Sequence, residues 1–580
     1  MYKSIRFPAF ILVIILLAAI LAACTTPEVT TGTTGAATTA TSATTTAKTS
    51  RELITLNWYA GNTNASPGLQ ENMYWTKILE EDLGIKLNVI SGTDEIINAY
   101  IASGDLPDMG LIYKSDDFQN AYNADLLVNF DDYIDLIPSV LVNYPAGSLQ
   151  FQRDRYADGG LHSLPSGAQT VFKTYGGSEY YMRVDFPYYL EYVEANGEPE
   201  LKDYEDFLPI LKSIQDAHPT NDDGQAAYGM SIFAEWDGST VGYGDWISEQ
   251  YGVIYKDFAE IDMDSLTYQS IFDDDSVYKR TLKLLYDANQ LGILDPDSMT
   301  QTWNDYMAKV DARRIYSTYC FYANDFTRCL PYVNLNTVDY TGPAYLGNGS
   351  GSWGFYISAN SDYVERCCEF FNYVINEDNW WRLKFGNQGE FWDINSDGQV
   401  YVTEKGQNME KDSTVLFEDG GSLILNSAIC NWNTRFIDWC VVNKTYGANY
   451  STASWPTRDV SMKTDNQKIW ETYISDKYSI NFNGYLSDIQ VLNTADSFAE
   501  FRFSASTVQA TDDIKEKVSR IGAICPSMCW QMIYAKSESE FESTWAELVE
   551  QANAMGAQDV VTYYGDLYVQ GVNDCLKYIE

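Results

Sequence analysis

Histidine is almost missing from this chain: His162 and His218 are the only two in 580 residues, and they lie far apart in the sequence. Ser-His-Asp catalysis, histidine-rich zinc sites and histidine acid–base chemistry therefore have little raw material. Basic residues are scarce too, 38 Lys and Arg against 81 Asp and Glu, which leaves a formal net charge of -43. A field of that sign repels nucleic acid and anionic lipid, and disfavours a polyanionic sugar unless a local basic patch intervenes. After the first residues there is no apolar run long enough to span a membrane. Cysteine is sparse and, with Cys24 set aside, odd in number: Cys320, Cys329, Cys367, Cys368, Cys430, Cys440, Cys525, Cys529 and Cys575. Outside the cell an odd count implies a free thiol or an intermolecular bridge, and the pairing is not given by sequence. Cys525-x-x-x-Cys529 has no second pair at metal spacing and reads as structural.

At the amino terminus, Lys3 and Arg6 precede an apolar run from Phe7 to Leu21, which stops at Leu21-Ala22-Ala23-Cys24 and gives way to a polar tract. A basic head, a short apolar core and small residues at the break predict a secretory signal over 1–23. The cysteine directly after them is what a bacterial lipobox looks like, so Cys24 is expected to carry diacylglycerol. Two acyl chains hold a protein on a membrane where a single chain dissociates readily. The expected address is the extracytoplasmic face of the cell membrane; the alternative is an uncleaved anchor, for which the run is short. Residues 24–50 are almost wholly Thr, Ala, Ser and Gly, a composition that cannot bury enough surface to order itself, and read as a flexible leash. The remaining stretch of about 530 residues is too long for one core, so two or more lobes are expected.

The first part of that stretch has a clear order. Leu53 to Tyr59 reads as a strand, and Trp75, Ile78, Leu79 and Leu83 recur at helical spacing before a glycine stop at Gly84. Ile85, Leu87 and Val89 alternate with polar residues as a second strand. A helix capped at Asp94 follows and ends near Gly104, then a third strand runs from Met109 to Tyr113. Alternation of this kind needs parallel pairing and right-handed crossovers. Ligands of such sheets sit beyond the carboxyl ends of the strands. The loops after Tyr59 and Tyr113, with Gly61, Asn62, Lys114, Ser115 and Asp116, are the candidate ligand loops on that ground. The carboxyl end reads as helical. Ser537 with Glu540 makes a capping-box pattern ahead of Phe541, Trp545, Leu548 and Val549, and a last helix begins near Ala557.

Several short segments resemble landmarks of the family 1 extracellular solute-binding lipoproteins. They are Gly104-Asp105-Leu106-Pro107-Asp108, Asp125-Leu126-Leu127-Val128-Asn129-Phe130, and Asp158-Gly159-Gly160-Leu161-His162-Ser163-Leu164-Pro165. Met182-Arg183-Val184-Asp185, Gly292-Ile293-Leu294-Asp295-Pro296-Asp297 and Phe385-Gly386-Asn387-Gln388-Gly389-Glu390-Phe391-Trp392 follow in the same order. The resemblance spans nearly the whole chain after the leash. It implies an α/β, two-lobe, periplasmic-binding-protein-like (Venus flytrap) fold with mostly parallel sheets and discontinuous lobes. It also implies a monomer that captures an oligosaccharide and delivers it to the permease subunits of an ABC importer. On this basis 51–165 with about 315–375 is expected to form lobe 1, and about 166–314 with about 376–500 lobe 2. The hinge would be crossed near 165–175 and 310–320, and 501–580 would pack on the lobes as a helical segment.

Asp393-x-Asn395-x-Asp397-Gly398-Gln399 followed by Glu404 matches a twelve-residue calcium loop, the only cofactor site suggested. Its flanks, Phe391-Trp392 and Val400-Tyr401-Val402-Thr403, look like strands, so the same residues could instead turn a hairpin. Asn221-Asp222-Asp223-Gly224-Gln225 is a second such turn without acidic groups after its glycine. Fifteen Trp and 44 Tyr favour a sugar ligand, because an aromatic ring stacks on the apolar face of a pyranose. Rings in Gly- and Asp-rich contexts are the candidate contacts: Trp236, Tyr243, Trp246, Trp353 and Trp392, with Tyr113, Tyr175 and Arg183. Two other classes stay open. A cell-surface glycoside hydrolase would use paired carboxylates such as Glu179 and Asp185, and a peptide receptor would need fixed counter-charges in its cleft.

Overall fold

A computed structural model describes residues 51–61, 65–167, 183–242, 247, 251, 253–262, 265–318, 325–330, 337–338, 354–412, 414–423, 436–437, 441–452, 455, 457–458, 462–479, 494–495, 510–576 and 578. The signal 1–23, Cys24, the leash 24–50 and the ligand candidates Asn62, Tyr175, Tyr243, Trp246 and Trp353 lie outside the described residues.

The chain begins with β1 (Ile54–Tyr59), β2 (Gly68–Leu69), α1 (Tyr74–Leu83), β3 (Ile85–Ile90), α2 (Asp94–Ser103), β4 (Met109–Ile112) and α3 (Ser115–Asn123). β1 lies parallel to β3, in register from Ile54 opposite Ile85 to Tyr59 opposite Ile90, and parallel to β4, with Trp58 opposite Met109. Successive side chains alternate between two packed faces, as the pleat requires. Leu56, Trp58, Met109 and Leu111 enter one hydrophobic core, while Tyr59, Ile112 and Tyr356 enter a smaller cluster on the other side.

The six-stranded sheet is completed by strand Gly354–Ile357, antiparallel to β4, and by β5 (Leu164–Pro165), antiparallel to that strand. Gly354 faces both Ile112 and Pro165. The chain therefore leaves through β5 and returns at Gly354 on one edge of the sheet, and a strand entering from that edge must run against its neighbours. The second region pairs β6 (Arg183–Asp185) with Ser317–Thr318 and Thr327–Cys329, all antiparallel, and the meander Val253–Ser270 is antiparallel as well. It also has the parallel bridges Tyr228 with Ile315 and Met230 with Leu294. The α/β, two-lobe architecture is present, but its sheets are mixed rather than mostly parallel.

Two large cores divide the chain at other places than expected. One joins Ile54–Leu164 with Phe355–Trp455, the other Val184–Leu330 with Trp470–Tyr568. The described core residues of 376–455 thus belong with the first core, where Trp380, Trp381, Phe385 and Trp455 share one cluster with Trp75 and Trp392. Residues 315–330 belong with the second, where Ser317 and Thr327 pair with β6. The carboxyl-terminal helices enter the second core through Trp530, Trp545 and Val560. Among the described residues, no helix is long and apolar enough to cross a membrane.

Candidate ligand-binding site

The carboxyl ends of β1, β3 and β4 form one rim, and α2 and α3 both begin there. Gly61 follows β1, and a Cβ at this position would lie 2.5 Å from the Tyr113 ring and 2.9 Å from the Leu111 carbonyl oxygen. Only glycine lets the ring of Tyr113 close over the end of β1, where it packs half-buried on the first core. Tyr59 donates its hydroxyl to the Thr93 carbonyl oxygen at 2.8 Å and so ties β1 to the loop before α2. Lys114, exposed, immediately precedes α3. The Thr93 hydroxyl, with a smaller contribution from the Lys114 charge, holds the Glu95 carboxyl below its usual range. The described neighbours of two further candidates lie on this same edge: Asn62 follows Gly61, and Trp353 precedes Gly354.

In the second lobe the chain passes Met230 and Ile232 and reaches a group of rings. Trp236, 44% exposed, stacks on Trp303 with ring centroids 4.9 Å apart and planes 24° apart. Phe233 meets both edge-on, at 4.9 and 5.3 Å. Trp303 opens helix Trp303–Asp311, which starts with a Thr302/Asp305 capping box. Its backbone N–H donates to Glu235 Oε2 at 2.6 Å, so the residue before Trp236 caps the helix that carries Trp303. Both indoles are thus fixed by one short loop and one helix start, beyond the carboxyl ends of the segments bridged at Met230 and Leu294. Trp303 is absent from the sequence candidates; its one signal was the capping box.

Asp237 fastens that loop from behind. Its two carboxylate oxygens accept from the Trp530 indole N–H at 2.7 Å and from the Gly242 N–H at 2.9 Å. Tyr243 and Trp246 come directly after. Burial pushes the Asp237 carboxyl up to about 6 from its ordinary 3.8. A carboxyl whose folded pKa is raised contributes stability that is complete below about 4 and lost as pH rises through about 6. Chemical denaturation at pH 4.5 and at pH 7 is expected to show wild type losing more stability across that interval than Asp237→Asn; equal losses would show that Asp237 titrates normally.

Other sequence candidates are placed differently. Arg183 is half-buried on β6, opposite Thr318 and Cys329, and donates from its guanidinium to the Thr327 carbonyl oxygen at 3.3 Å. Trp392 is 2% exposed in the first core, edge-on to Trp381 at 5.4 Å, with its indole N–H donated to the Gly386 carbonyl oxygen at 3.0 Å. That burial corrects its assignment as a ligand contact. Of the carboxylate pair, Glu179 lies outside the described residues. Asp185 is 1% exposed and held by Arg313 through two hydrogen bonds, at 2.7 and 2.9 Å.

The calcium motif folds as its alternative, a hairpin. Trp392–Ile394 pairs antiparallel with Val400–Val402, which sets Asp393 opposite Tyr401. Asn395 Oδ1 accepts from the Asp397 and Gln399 N–H groups, Asp393 accepts from Gln388, and Glu404 begins the helix Glu404–Lys411. Among the described residues no three His, Cys, Asp or Glu side chains gather where they could hold a metal. Asn221–Gln225 repeats the turn: in both, the asparagine N–H donates to the glutamine carbonyl oxygen at 2.9 Å, and asparagine Oδ1 accepts from the second and fourth N–H groups onward. Asn395→Ala removes two of these bonds and is expected to cost roughly 1 kcal/mol in urea unfolding; no change would mean that Gly398 and the strand pairing suffice.

No protein-family model and no curated protein matches the sequence. The fold, by contrast, superposes on solved structures over nearly their whole length. One is described as an HMO-binding, ABC-transporter-associated solute-binding protein from Bifidobacterium longum infantis, 16% identical, with 89% of this chain and 98% of that chain covered and a TM-score of 0.53. Another is the S. pneumoniae ABC-transporter substrate-binding protein FusA, as an EF-hand mutant in complex with fructo-nystose, 14% identical, covering 89% and 99% with a TM-score of 0.54. A third is the N-glycan transport solute-binding protein NgtS from Streptococcus pneumoniae, 15% identical, covering 90% and 99% with a TM-score of 0.52. The polypeptide described here therefore has the two-lobe α/β fold of ABC-transporter solute-binding proteins.

Proposed function

We propose that this chain is a non-catalytic, extracytoplasmic receptor that captures an intact oligosaccharide and hands it to the membrane subunits of an ABC importer. The observation that carries the reading is the stacked Trp236–Trp303 pair, with Trp236 exposed and Trp303 half-buried, beyond the carboxyl ends of the second lobe's strands in a fold of this kind. Indole faces bind the C–H faces of sugar rings, while polar groups at helix starts, as at α2 and α3, bond the hydroxyls. The proteins of similar fold named above are described with HMO, fructo-nystose and N-glycan as their ligands or cargo. Glu95, Asp116 and Glu235 around the two candidate surfaces make a neutral glycan a better fit than a uronate. The lipid anchor at Cys24 and a monomeric state belong to the same reading. Ligand touching both lobes would favour the closed arrangement, and that form would dock on the permease.

The test is a thermal-shift screen against neutral oligosaccharides, uronate oligomers and peptides, with chromatography of each glycan after incubation. A ligand bound only by folded protein raises the melting temperature. The reading expects a saturable shift with a neutral oligosaccharide recovered intact. Shifts with peptides alone, or glycan fragments in the supernatant, would replace it by a peptide receptor or a hydrolase.

A further inference from the structure

The last helix, Ala557–Leu576, is anchored in the second core through Ala557, Val560, Val561 and Tyr568. Its twenty residues measure about 30 Å, long enough to leave that core at its far end. Two residues beyond it, Tyr578 meets helix Ala146–Asp154, whose Leu149 belongs to the first core. The Tyr578 ring stands edge-on to Phe151, with centroids 5.3 Å apart and planes at 84°. Its hydroxyl donates to the Asp154 carboxylate. Its carbonyl oxygen occupies the space over Gly147 where a Cβ would otherwise sit. A ring contact, a hydrogen bond and a backbone approach that only glycine permits make this a shaped seat.

We propose that the carboxyl-terminal end of the chain is a strap between the lobes, rooted in the second core and latched by Tyr578 into the seat formed by Gly147, Phe151 and Asp154. The chain passes from one core to the other between Pro165 and Arg183, between Leu330 and Gly354, and between Trp455 and Trp470. Chain crossings permit a hinge rotation, whereas a side chain seated on the opposite lobe opposes it until its contacts break. The strap thus biases the balance between lobe arrangements whatever the ligand is.

Two variants of the whole protein test it: Tyr578→Ala removes the ring and hydroxyl, and Gly147→Val fills the space taken by the Tyr578 carbonyl. Small-angle scattering should show a broader distribution of interlobe distances for both. Hydrogen exchange should show faster exchange of the 146–154 amides, with circular dichroism confirming that each variant is folded. Should Gly147→Val fail to fold, Tyr578→Ala decides alone, since Tyr578 belongs to neither hydrophobic core. Scattering curves superimposable on wild type would overturn the proposal. Faster exchange with unchanged scattering would overturn it equally, because the tail would then dock without restraining the lobes.

Discussion

Replacing both Trp236 and Trp303 by alanine is expected to weaken oligosaccharide binding by about 100-fold or more, measured by isothermal titration with the glycan that the screen identifies. Truncating an aromatic anchor at the centre of a binding surface typically costs about 2 kcal/mol or more, and each 1.4 kcal/mol is a factor of ten. The two rings stack on each other at 4.9 Å, so their losses are coupled, and each single variant should already lose most of what the pair loses. Trp236→Ala separates binding from stability, because this ring is exposed and its removal opens no core. Trp303 also faces Tyr306 at 5.7 Å, a fully buried ring, so Trp303→Ala should lower the melting temperature as well. Unchanged affinity in Trp236→Ala would move the ligand elsewhere in the molecule.

Asp185→Ala should destabilise the second lobe by about 3–5 kcal/mol, the usual consequence of leaving a buried charge without its partner. Asp185 is 1% exposed, and its carboxylate takes both hydrogen bonds from Arg313 and caps helix Phe186–Asn196 through the Tyr188 N–H. The Arg313 guanidinium lies between the Tyr188 ring at 3.9 Å and the Phe326 ring at 4.0 Å. Without the carboxylate, that cation would remain among aromatic faces without its hydrogen-bonded anion. Replacing both partners together, Asp185→Leu with Arg313→Met, should cost less than Asp185→Ala alone, because no orphan charge is left. Urea unfolding followed by fluorescence measures both. Equal losses in the two variants would mean that the N-cap, not the ion pair, is what Asp185 supplies.

Local periodicity carried the first sheet well. Alternating Ile85, Leu87 and Val89 became β3, and the glycines at 84 and 104 end α1 and α2. Ser537 accepts from the Glu540 N–H as read, although Glu540 returns its hydrogen bond to the Lys536 N–H instead of closing the box on Ser537. What periodicity cannot say is which core a buried face joins. Trp380 and Trp381 announce a buried helix, and only their contacts with the first core's rings assign them to it. Trp392 failed as a candidate for the same reason, since its Gly-rich context is that of a loop while its ring is interior. The calcium motif names oxygen-bearing residues in the right order, yet in the hairpin Asn395 Oδ1 accepts from the Asp397 and Gln399 N–H groups and Asp393 accepts from Gln388. Trp236 and Trp303 are 67 residues apart, so no local pattern could join them.

Small-angle scattering with and without a saturating, intact neutral oligosaccharide tests the receptor reading most directly. Capture between two lobes predicts a smaller radius of gyration when ligand is bound, reversed on dilution, with the glycan recovered whole. An unchanged radius at saturation, or a glycan recovered in fragments, would contradict it.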